Sequence, residues 1–327
     1  MTHLFARLSL LGAGAALLAF GVAAQTISNL PTKPVRIVVG YPAGQTVDIV
    51  ARTYAVALGK ELGQPVFVDN RAGANGSLGA QEVKKSAADG TTLLLGTLGQ
   101  MAINPMLYKK LPYDTLKDFA PVSLVSVGPL LLVANPSFPP NNLQELIAYA
   151  KARPGKVDFA SGGNGITAHL AMEIFQAQAG IKLNHVPYKG SPAALNDLMG
   201  GQVQLMFDAV PSTLPFVKSG KLKALAISSL KRNSQLPNLG TVDEQGIKGF
   251  EINSWVGFLA PAGTPPAVVD ALNAAIKRAS ASPAVQEAIR ASGLEVAVTT
   301  PAQFTTFLHG ELAKWGKAVT DGGVQID

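Results

Sequence analysis

The sequence predicts an α/β fold in two lobes, each built on a mixed sheet with flanking helices. Strand-sized apolar runs alternate with helix-period segments along the chain. The length of 327 residues corresponds to about two domains. No Pro/Gly/Ser linker separates two domains in series. We therefore expect two crossing segments, with a discontinuous first domain of residues 25–126 and 254–327 and a second of residues 127–253.

The chain begins with a predicted export signal over residues 1–24. Arg7 precedes an uncharged apolar run from Leu8 to Val22, and small residues end at Ala24, where we predict cleavage. The alternative is a membrane anchor, but the run is shorter than the ~20 residues of a spanning helix. We therefore expect a periplasmic protein.

The first lobe is predicted from short apolar runs and one strongly periodic helix. Val50, Tyr54, Leu58 and Leu62 recur at four-residue steps and mark one helix face. The predicted strands are Val35–Val39, Val66–Asp69, Thr92–Leu95 and Val122–Val125, of which the first three build one sheet.

A second α/β series follows, and the last third of the chain is mainly helical. The predicted strands of the second series are Leu130–Val133, Val157–Ala160, Leu183–Val186 and Val203–Phe207. Its predicted helices are one with Leu143, Leu146, Ile147 and Ala150 on one face, then Thr167–Ala179 and Pro192–Met199. Thr264, Ser282 and Thr300 each precede a proline, which predicts three capped helix starts. Thr300 and Gln303 also form a capping-box pattern. The apolar residues of the terminal helix predict packing: Phe304, Phe307, Leu308, Leu312 and Trp315.

Composition and motifs argue against several function classes. The net charge of +6 is spread along the chain, which indicates a solvated surface and no nucleic-acid partner. With no cysteine, a thiolate metal site or a catalytic thiol is excluded. We find no metal-ligand spacing, no G-x-S-x-G elbow and no phosphate-binding P-loop. We therefore expect no enzyme activity, no cofactor and no metal.

Two glycine-bearing loops, each between a strand and a helix, are the candidate site. Residues 41–48 read YPAGQTVD, and residues 161–167 read SGGNGIT. At such a corner, glycine lets the backbone approach a bound molecule, and the first helical turn offers free N–H groups at a positive dipole end. Together the loops predict an anion seat shared by the two lobes. The alternative is that Thr46, Asp48 and Thr167 are only helix caps.

Three further features of this region have open interpretations. Gly163, Gly165 and Ala168 match a dinucleotide fingerprint, but the next strand offers no acid for the ribose. His169 lies in the helix after the second loop, where it either contacts the ligand or is structural. Asp208, at a strand end, either binds an amino group or caps the segment after it.

Collinear motifs then run through the whole mature chain. They are Tyr41-Pro42-Ala43-Gly44 with Asp48 and Ala51-Arg52, Leu62-Gly63-Gln64-Pro65-Val66, Asn70-Arg71-Ala72-Gly73-Ala74, Ile103-Asn104-Pro105, Leu111-Pro112-Tyr113-Asp114, Asp118-Phe119-Ala120-Pro121-Val122, His185-Val186-Pro187-Tyr188-Lys189-Gly190-Ser191, Gly201-Gln202-Val203 with Leu205-Met206-Phe207-Asp208, and Ala260-Pro261-Ala262-Gly263-Thr264-Pro265. With these motifs the chain resembles the periplasmic receptors of tripartite tricarboxylate transporters, the Bug family.

The resemblance implies a two-lobed, type II-like periplasmic binding protein. It would capture a small organic carboxylate or dicarboxylate as a monomer and deliver it to the integral-membrane permease subunits of a tripartite transporter. A sensor that presents its ligand to a membrane kinase is the alternative. The resemblance nominates Gly44, Thr46 and Asp48 in the first loop and Ser161, Asn164, Thr167 and His169 in the second. To these we add Tyr41 and Gln45 in the first loop and Asp208 at its strand end. Gln45 departs from the family, which usually has Gly or Ser there, and we expect it to narrow or re-dress the pocket.

Overall fold

The computed structural model describes the backbone of residues 31–321 and the side chains of residues 31–316. The predicted signal peptide lies outside the described residues. Ten strands are described: β1 Val35–Val39, β2 Val66–Asn70, β3 Thr92–Thr97, β4 Phe119–Ala134, β5 Asp158–Ser161, β6 Asn184–Pro187, β7 Leu205–Ala209, β8 Lys223–Ile227, β9 Asn253–Pro261 and β10 Glu295–Val296. Ten α-helices accompany them: α1 Thr46–Leu62, α2 Ser77–Lys84, α3 Asn104–Leu107, α4 Leu143–Lys151, α5 Thr167–Ala179, α6 Ser191–Met199, α7 Val210–Lys218, α8 Pro266–Ala281, α9 Pro283–Ala291 and α10 Pro301–Asp321. A short π-helix, Gly99–Ile103, follows β3.

Two mixed sheets organise these elements, as the sequence predicts. In the first sheet β1 is parallel to β2 and β3, and β9 lies antiparallel between β3 and β4. In the second sheet β5 is parallel to β6 and β7, while β4 is antiparallel to both β7 and β8. The predicted sheet of the first three strands is confirmed, with β1 in its middle.

Strand β4 belongs to both sheets, which corrects one prediction. The segments Val122–Val125 and Leu130–Val133 are one continuous strand and not two. Its first part, to Pro129, pairs with β9, and its second part, from Leu130, pairs with β7 and β8. Pro129 lies where the pairing changes from β9 to β7 and β8. Proline has no N–H to donate to a strand ladder, and it is tolerated here because one ladder ends at this residue. The connection from β8 to β9 runs beside it. The lobe boundaries near residues 126 and 253 stay a prediction.

Packing follows the predicted helix faces. Val50, Tyr54 and Leu58 of α1 are buried against the first sheet. In α10, Phe304, Leu308 and Trp315 are buried, and Phe307 and Leu312 are half-buried against the same cluster. The terminal helix is therefore packing, as predicted.

Two of the three predicted caps form. The Ser282 hydroxyl accepts from the Val285 N–H, and Thr300 and Gln303 make the reciprocal bonds of a capping box. Thr264 is not a cap. Its hydroxyl donates to the Pro261 carbonyl, and α8 begins later, at Pro266.

Candidate functional site

A cleft between the two sheets contains residues of both predicted loops. The space in this cleft is continuous with solvent. Its walls are formed by Tyr41, Gln45, Thr46, Val47, Thr97, Gly99, Leu130, Ile166, Thr167, Ala168, Ser191, Asp208, Ala209, Ser254 and Val256. Both sheets contribute, so a molecule in this cleft contacts both halves of the protein.

Four helices begin at this cleft. The residues before their first turns are Gln45 for α1, Ile166 for α5, Gly190 for α6 and Ala209 for α7, and none of the four helices has a side-chain hydrogen bond at its cap. The N–H groups of a first turn have no partner within the helix, and the dipole places about half a positive charge there. The alternative that Thr46 and Thr167 are caps is wrong, because each is the first helical residue.

The two halves of the protein lie close together on both sides of the cleft. A Cβ atom added at Gly99, after β3, would lie only 3.7 Å from the amide nitrogen of Thr167. On the other side, the hydroxyls of Thr46 and Ser212 are 3.1 Å apart and join α1 to α7. None of the residues lining the cleft within the described chain is Lys or Arg. An anion bound here would therefore meet amides and hydroxyls, together with the carboxyl group of Asp208.

The first loop is braced by a charged network outside the cleft lining. Asp48 Oδ2 accepts from the Gly44 N–H at 2.9 Å and from Arg52 Nε at 3.0 Å, while Oδ1 accepts from Asn70 Nδ2. Burial raises the pKa of Asp48, but these hydrogen bonds outweigh it and hold the pKa below its usual value. Gly44 and Asp48 thus shape the loop in this structure.

Tyr41 supports the same loop from the cleft side. Its hydroxyl lies 3.1 Å from Thr97 Oγ1 and 3.3 Å from Asn75 Oδ1. Burial raises the pKa of Tyr41 far above its usual value, so the phenol is neutral. The ring therefore offers the cleft an uncharged, polar wall.

The second loop is braced by neutral, buried groups. The Ser161 hydroxyl accepts from the Gly163 N–H, and its oxygen lies 2.9 Å from the Gly163 carbonyl oxygen and 2.7 Å from His185 Nε2. Further along the loop, the Gly165 N–H donates to His169 Nδ1. That bond assigns the proton of the neutral His169 ring to Nε2. The serine hydroxyl is fully buried, so in this structure Ser161 holds the loop and does not face the cleft.

The two histidines form a stack beneath that loop. Their ring centroids lie 4.0 Å apart, and Phe159 stacks on His185 at 4.7 Å. Burial lowers the pKa of His169 to about 4. Burial, with repulsion from His169, lowers that of His185 to about 3. Both rings are therefore neutral at pH 7, and His169 has the structural role in this arrangement.

Asp208 brings a carboxyl group into the cleft wall. It lies in β7 and is 7% exposed. Oδ1 accepts from the Ala209 N–H at 2.9 Å, whereas Oδ2 has no hydrogen-bond partner in the described part of the chain. Burial raises the pKa of Asp208 to about 6, although hydrogen bonds from Ala209 and the neighbouring Ser191 oppose the shift.

Gln45 separates the cleft from an outer pocket. Gln45, Tyr41 and Ile166 line both spaces, and the outer one, of ≈ 950 Å³, opens to solvent. Asn164 lines only the outer pocket. The Gln45 amide nitrogen lies 3.0 Å from where a Cβ of Gly190 would be, so this side chain reaches the other half of the protein.

The structure thus sorts the predicted residues by position. Those that line the inner cleft are Tyr41, Gln45, Thr46, Thr167 and Asp208. Those that brace the loops are Gly44, Asp48, Ser161 and His169. Sequence reasoning predicted α6, as Pro192–Met199, but did not place its start in the site. It missed α7, although Val210-Pro211 carries the helix-start proline that could have marked it.

Other site types find no support among residues 31–321. In that range no group of three or more His, Asp or Glu side chains could hold a metal ion. None of the helices described there is long and apolar enough to cross a membrane.

Comparisons with known proteins agree with the architecture. A family model described as a tripartite tricarboxylate transporter family receptor matches residues 50–324. Protein BugT of Bordetella pertussis (strain Tohama I) is 41% identical over 308 residues, which are 94% of this chain and 94% of BugT. The solved structure of R. palustris Rpa4515 with adipate has a TM-score of 0.88 at 35% identity and covers 90% of this chain and 99% of that one. MatC (Rpa3494) from Rhodopseudomonas palustris with bound malate has a TM-score of 0.83 at 33% identity and covers 89% and 100%. The predicted fold is confirmed.

Proposed function

This chain belongs to the tripartite tricarboxylate transporter receptors, periplasmic solute-binding proteins that include the Bug proteins, and we propose that it captures a small organic carboxylate in the inner cleft. It would then deliver that ligand to the integral-membrane permease subunits of a tripartite transporter. Export through the predicted signal peptide, action as a monomer and the lobe boundaries near residues 126 and 253 belong to the same proposal.

One observation carries the proposal: uncapped helix starts from both halves meet in one cleft without a basic side chain. Each start contributes about half a positive charge, so the four together exceed the single negative charge that an ionised Asp208 brings to the same wall. A ligand with one or two carboxylate groups matches that potential and supplies acceptors for the free amides. The amides of Thr46 and Thr167 would be the central donors.

Similarity to ligand-bound relatives supports the ligand class. Rpa4515 was solved with adipate and MatC with malate, and both are dicarboxylates. Because the cleft is formed by both halves, a ligand there would hold the closed arrangement together and present it to a partner. The proposed cycle needs no covalent step.

A thermal-shift screen over mono-, di- and tricarboxylates tests ligand binding. A true ligand at a hundredfold excess over its Kd stabilises the protein by ~2.7 kcal/mol. We expect a dicarboxylate to give the largest rise in Tm. If no carboxylate raises Tm, the proposed ligand class is wrong.

A proline substitution tests the role of the amides. Thr167 is the first residue of α5 and follows an extended residue, so Thr167→Pro removes its N–H where a helix tolerates proline. We expect about 10- to 100-fold weaker binding, the value of one hydrogen bond to a charged group. Thr167→Val is the matched control, because it keeps the N–H and loses only the hydroxyl. Equal affinities of the two variants would argue against amide recognition.

Delivery to a permease is tested by uptake. Deleting the gene for this chain should abolish uptake of the carboxylate that stabilises the protein, and supplying the chain again should restore it. Uptake that continues unchanged would remove the transport part of the proposal and leave the binding part standing.

A further inference from the structure

Asp208 has a buried carboxylate oxygen that the protein itself does not use. Oδ1 accepts from the Ala209 N–H, while Oδ2 has no partner among the described residues. The side chain is more than nine-tenths buried and lies in the wall of the inner cleft. A buried acceptor without a donor is costly, and proteins rarely retain one without a reason.

Capping does not explain this carboxyl group. Helix α7 begins at Val210, its cap is Ala209, and no side chain hydrogen-bonds at that cap. Asp208 therefore accepts one N–H, from its own neighbour, and leaves the rest of the first turn free. The alternative of a helix cap, which the sequence leaves open, is removed.

Charge pairing does not explain it either. No Lys or Arg lines the cleft within the described chain, and the described salt bridges do not include Asp208. The nearby polar groups are the hydroxyls of Ser191, Thr167 and Ser254, which also line the cleft. The Ser191 hydroxyl helps to lower the pKa of Asp208, but it leaves Oδ2 without a hydrogen bond in this arrangement, so the partner that Oδ2 lacks would arrive from the cleft.

We propose that Asp208 forms a donor-binding subsite, in which Oδ2 accepts a hydrogen bond from an amino or hydroxyl group on the bound carboxylate. The subsite rests on the proposed function, because it is the second contact of a ligand whose carboxylate is held by the helix starts. It makes Asp208 a specificity-determining residue. The cleft then selects amino- or hydroxy-substituted acids over unsubstituted acids of the same length.

Calorimetric titrations with matched ligands test the subsite at neutral pH. Succinate, L-malate and L-aspartate share one carbon skeleton and differ by a hydrogen, a hydroxyl or an ammonium group. Glutarate and L-glutamate repeat the comparison one carbon longer. For the wild-type protein we expect at least tenfold tighter binding of the substituted member at the length that fits. The fold-change corresponds to one hydrogen bond to a charged acceptor.

Asp208→Asn should remove the selectivity. It retains the shape of the side chain but lacks the charge, so the ammonium-bearing ligand should lose at least tenfold while succinate or glutarate changes little. Asp158→Asn is the matched control, because Asp158 begins β5 outside both pockets and should keep the wild-type preference. If Asp208→Asn does not fold, Asp208→Ser provides the same test.

The outcomes separate the two proposals. Equal affinity of wild-type protein for substituted and unsubstituted acids overturns the subsite and leaves carboxylate capture intact. A preference for the ammonium-bearing ligand that survives in Asp208→Asn also overturns it, because another group must then bind the ammonium. If wild-type protein binds no carboxylate at all, the subsite and the proposed function fail together.

Discussion

The two loops of the cleft present similar helix starts but are held in place by different chemistry. The first loop depends on Asp48, an ionised carboxylate that is tied to Arg52, and the Arg52 side chain is 57% exposed. The second loop depends on Ser161, His169 and His185, which are uncharged and mostly enclosed. One anion-binding geometry therefore has two different supports, a charged one in the first loop and an uncharged one in the second. Acid should weaken these two supports in different pH ranges.

Acidification should give the largest effect and should act on the second loop first. The folded-state pKa values of His169 and His185 lie at about 4 and about 3, below the unfolded value of 6.5. The pair therefore stabilises the fold above pH 6.5, and this stability is lost as pH falls towards 3. We expect the free energy of unfolding, measured with urea, to fall by on the order of 5 kcal/mol between pH 7.5 and pH 3.5.

Ring-preserving variants isolate that contribution. The double variant His169→Phe with His185→Phe keeps the stack and cannot titrate, so its stability should change much less over the same range. His309→Phe, at an exposed position of α10, is the control and should follow wild type. The contribution of Asp208 to stability has the opposite pH dependence to that of the histidines. Its folded-state pKa of about 6 lies above the unfolded value of 3.8, so its contribution falls as pH rises through 6. A double variant with the wild-type pH profile would show that the histidines do not control acid sensitivity.

Alanine substitutions of one glycine in each loop should have the next largest effect, and their costs in stability should differ. A Cβ on Gly162 would lie 2.8 Å from the backbone nitrogen of Ser191, so Gly162→Ala must displace the start of α6. We expect a loss of about 3 kcal/mol and weaker ligand binding. Gly44→Ala meets only Pro192 Cγ at 3.9 Å and bears the strain of φ 85°, so it should lose about 1 kcal/mol. Equal losses of unfolding free energy in the two variants, measured by chemical unfolding, would contradict the difference in how closely the two glycines are surrounded.

Removing the charge of Asp48, which braces the first loop, should reduce stability by a moderate amount. Asp48→Asn weakens the bonds to the Gly44 N–H and to Arg52, and we expect a loss of about 1–2 kcal/mol above pH 4. The folded-state pKa of Asp48 is lowered, so its contribution is present above 3.8 and is lost as pH falls through the folded value. Unfolding curves at pH 7 and pH 2 check this. A difference from wild type that is as large at pH 2 as at pH 7 would contradict it.

Replacing Gln45, which lies between the two pockets, should give the smallest change in stability. Glycine is accepted at a helix cap, so Gln45→Gly should alter the free energy of unfolding by less than about 0.5 kcal/mol. It should join the inner cleft to the outer pocket and shift ligand preference towards longer acids. Thermal shifts with adipate and malate measure the ranking. An unchanged ligand profile would show that Gln45 does not shape specificity.

The sequence was sufficient where the signal is local. The four-residue steps of α1, the strand Val35–Val39 and the helix Thr167–Ala179 follow from periodicity and flanking turn residues, and their predicted positions match the structure. The placement of both loops at a cleft was also predictable, because each follows the carboxyl end of a strand, where open α/β sheets bind ligands.

Other features depend on contacts between distant residues. The continuity of β4 through Pro129 depends on its pairing with β9 and β7. Whether the Gly44 N–H faces a ligand or Asp48 depends on a rotamer, and the neutral state of His169 depends on burial. The unpaired oxygen of Asp208 is likewise visible only when its surroundings are known.

The most direct test is a crystal structure with the carboxylate that gives the largest thermal shift. We expect one ligand carboxylate group within hydrogen-bond distance of first-turn amides of both α1 and α5, at Thr46 or Val47 and at Thr167 or Ala168. A carboxylate held by only one of these helix starts, or by basic side chains outside the cleft, would contradict it.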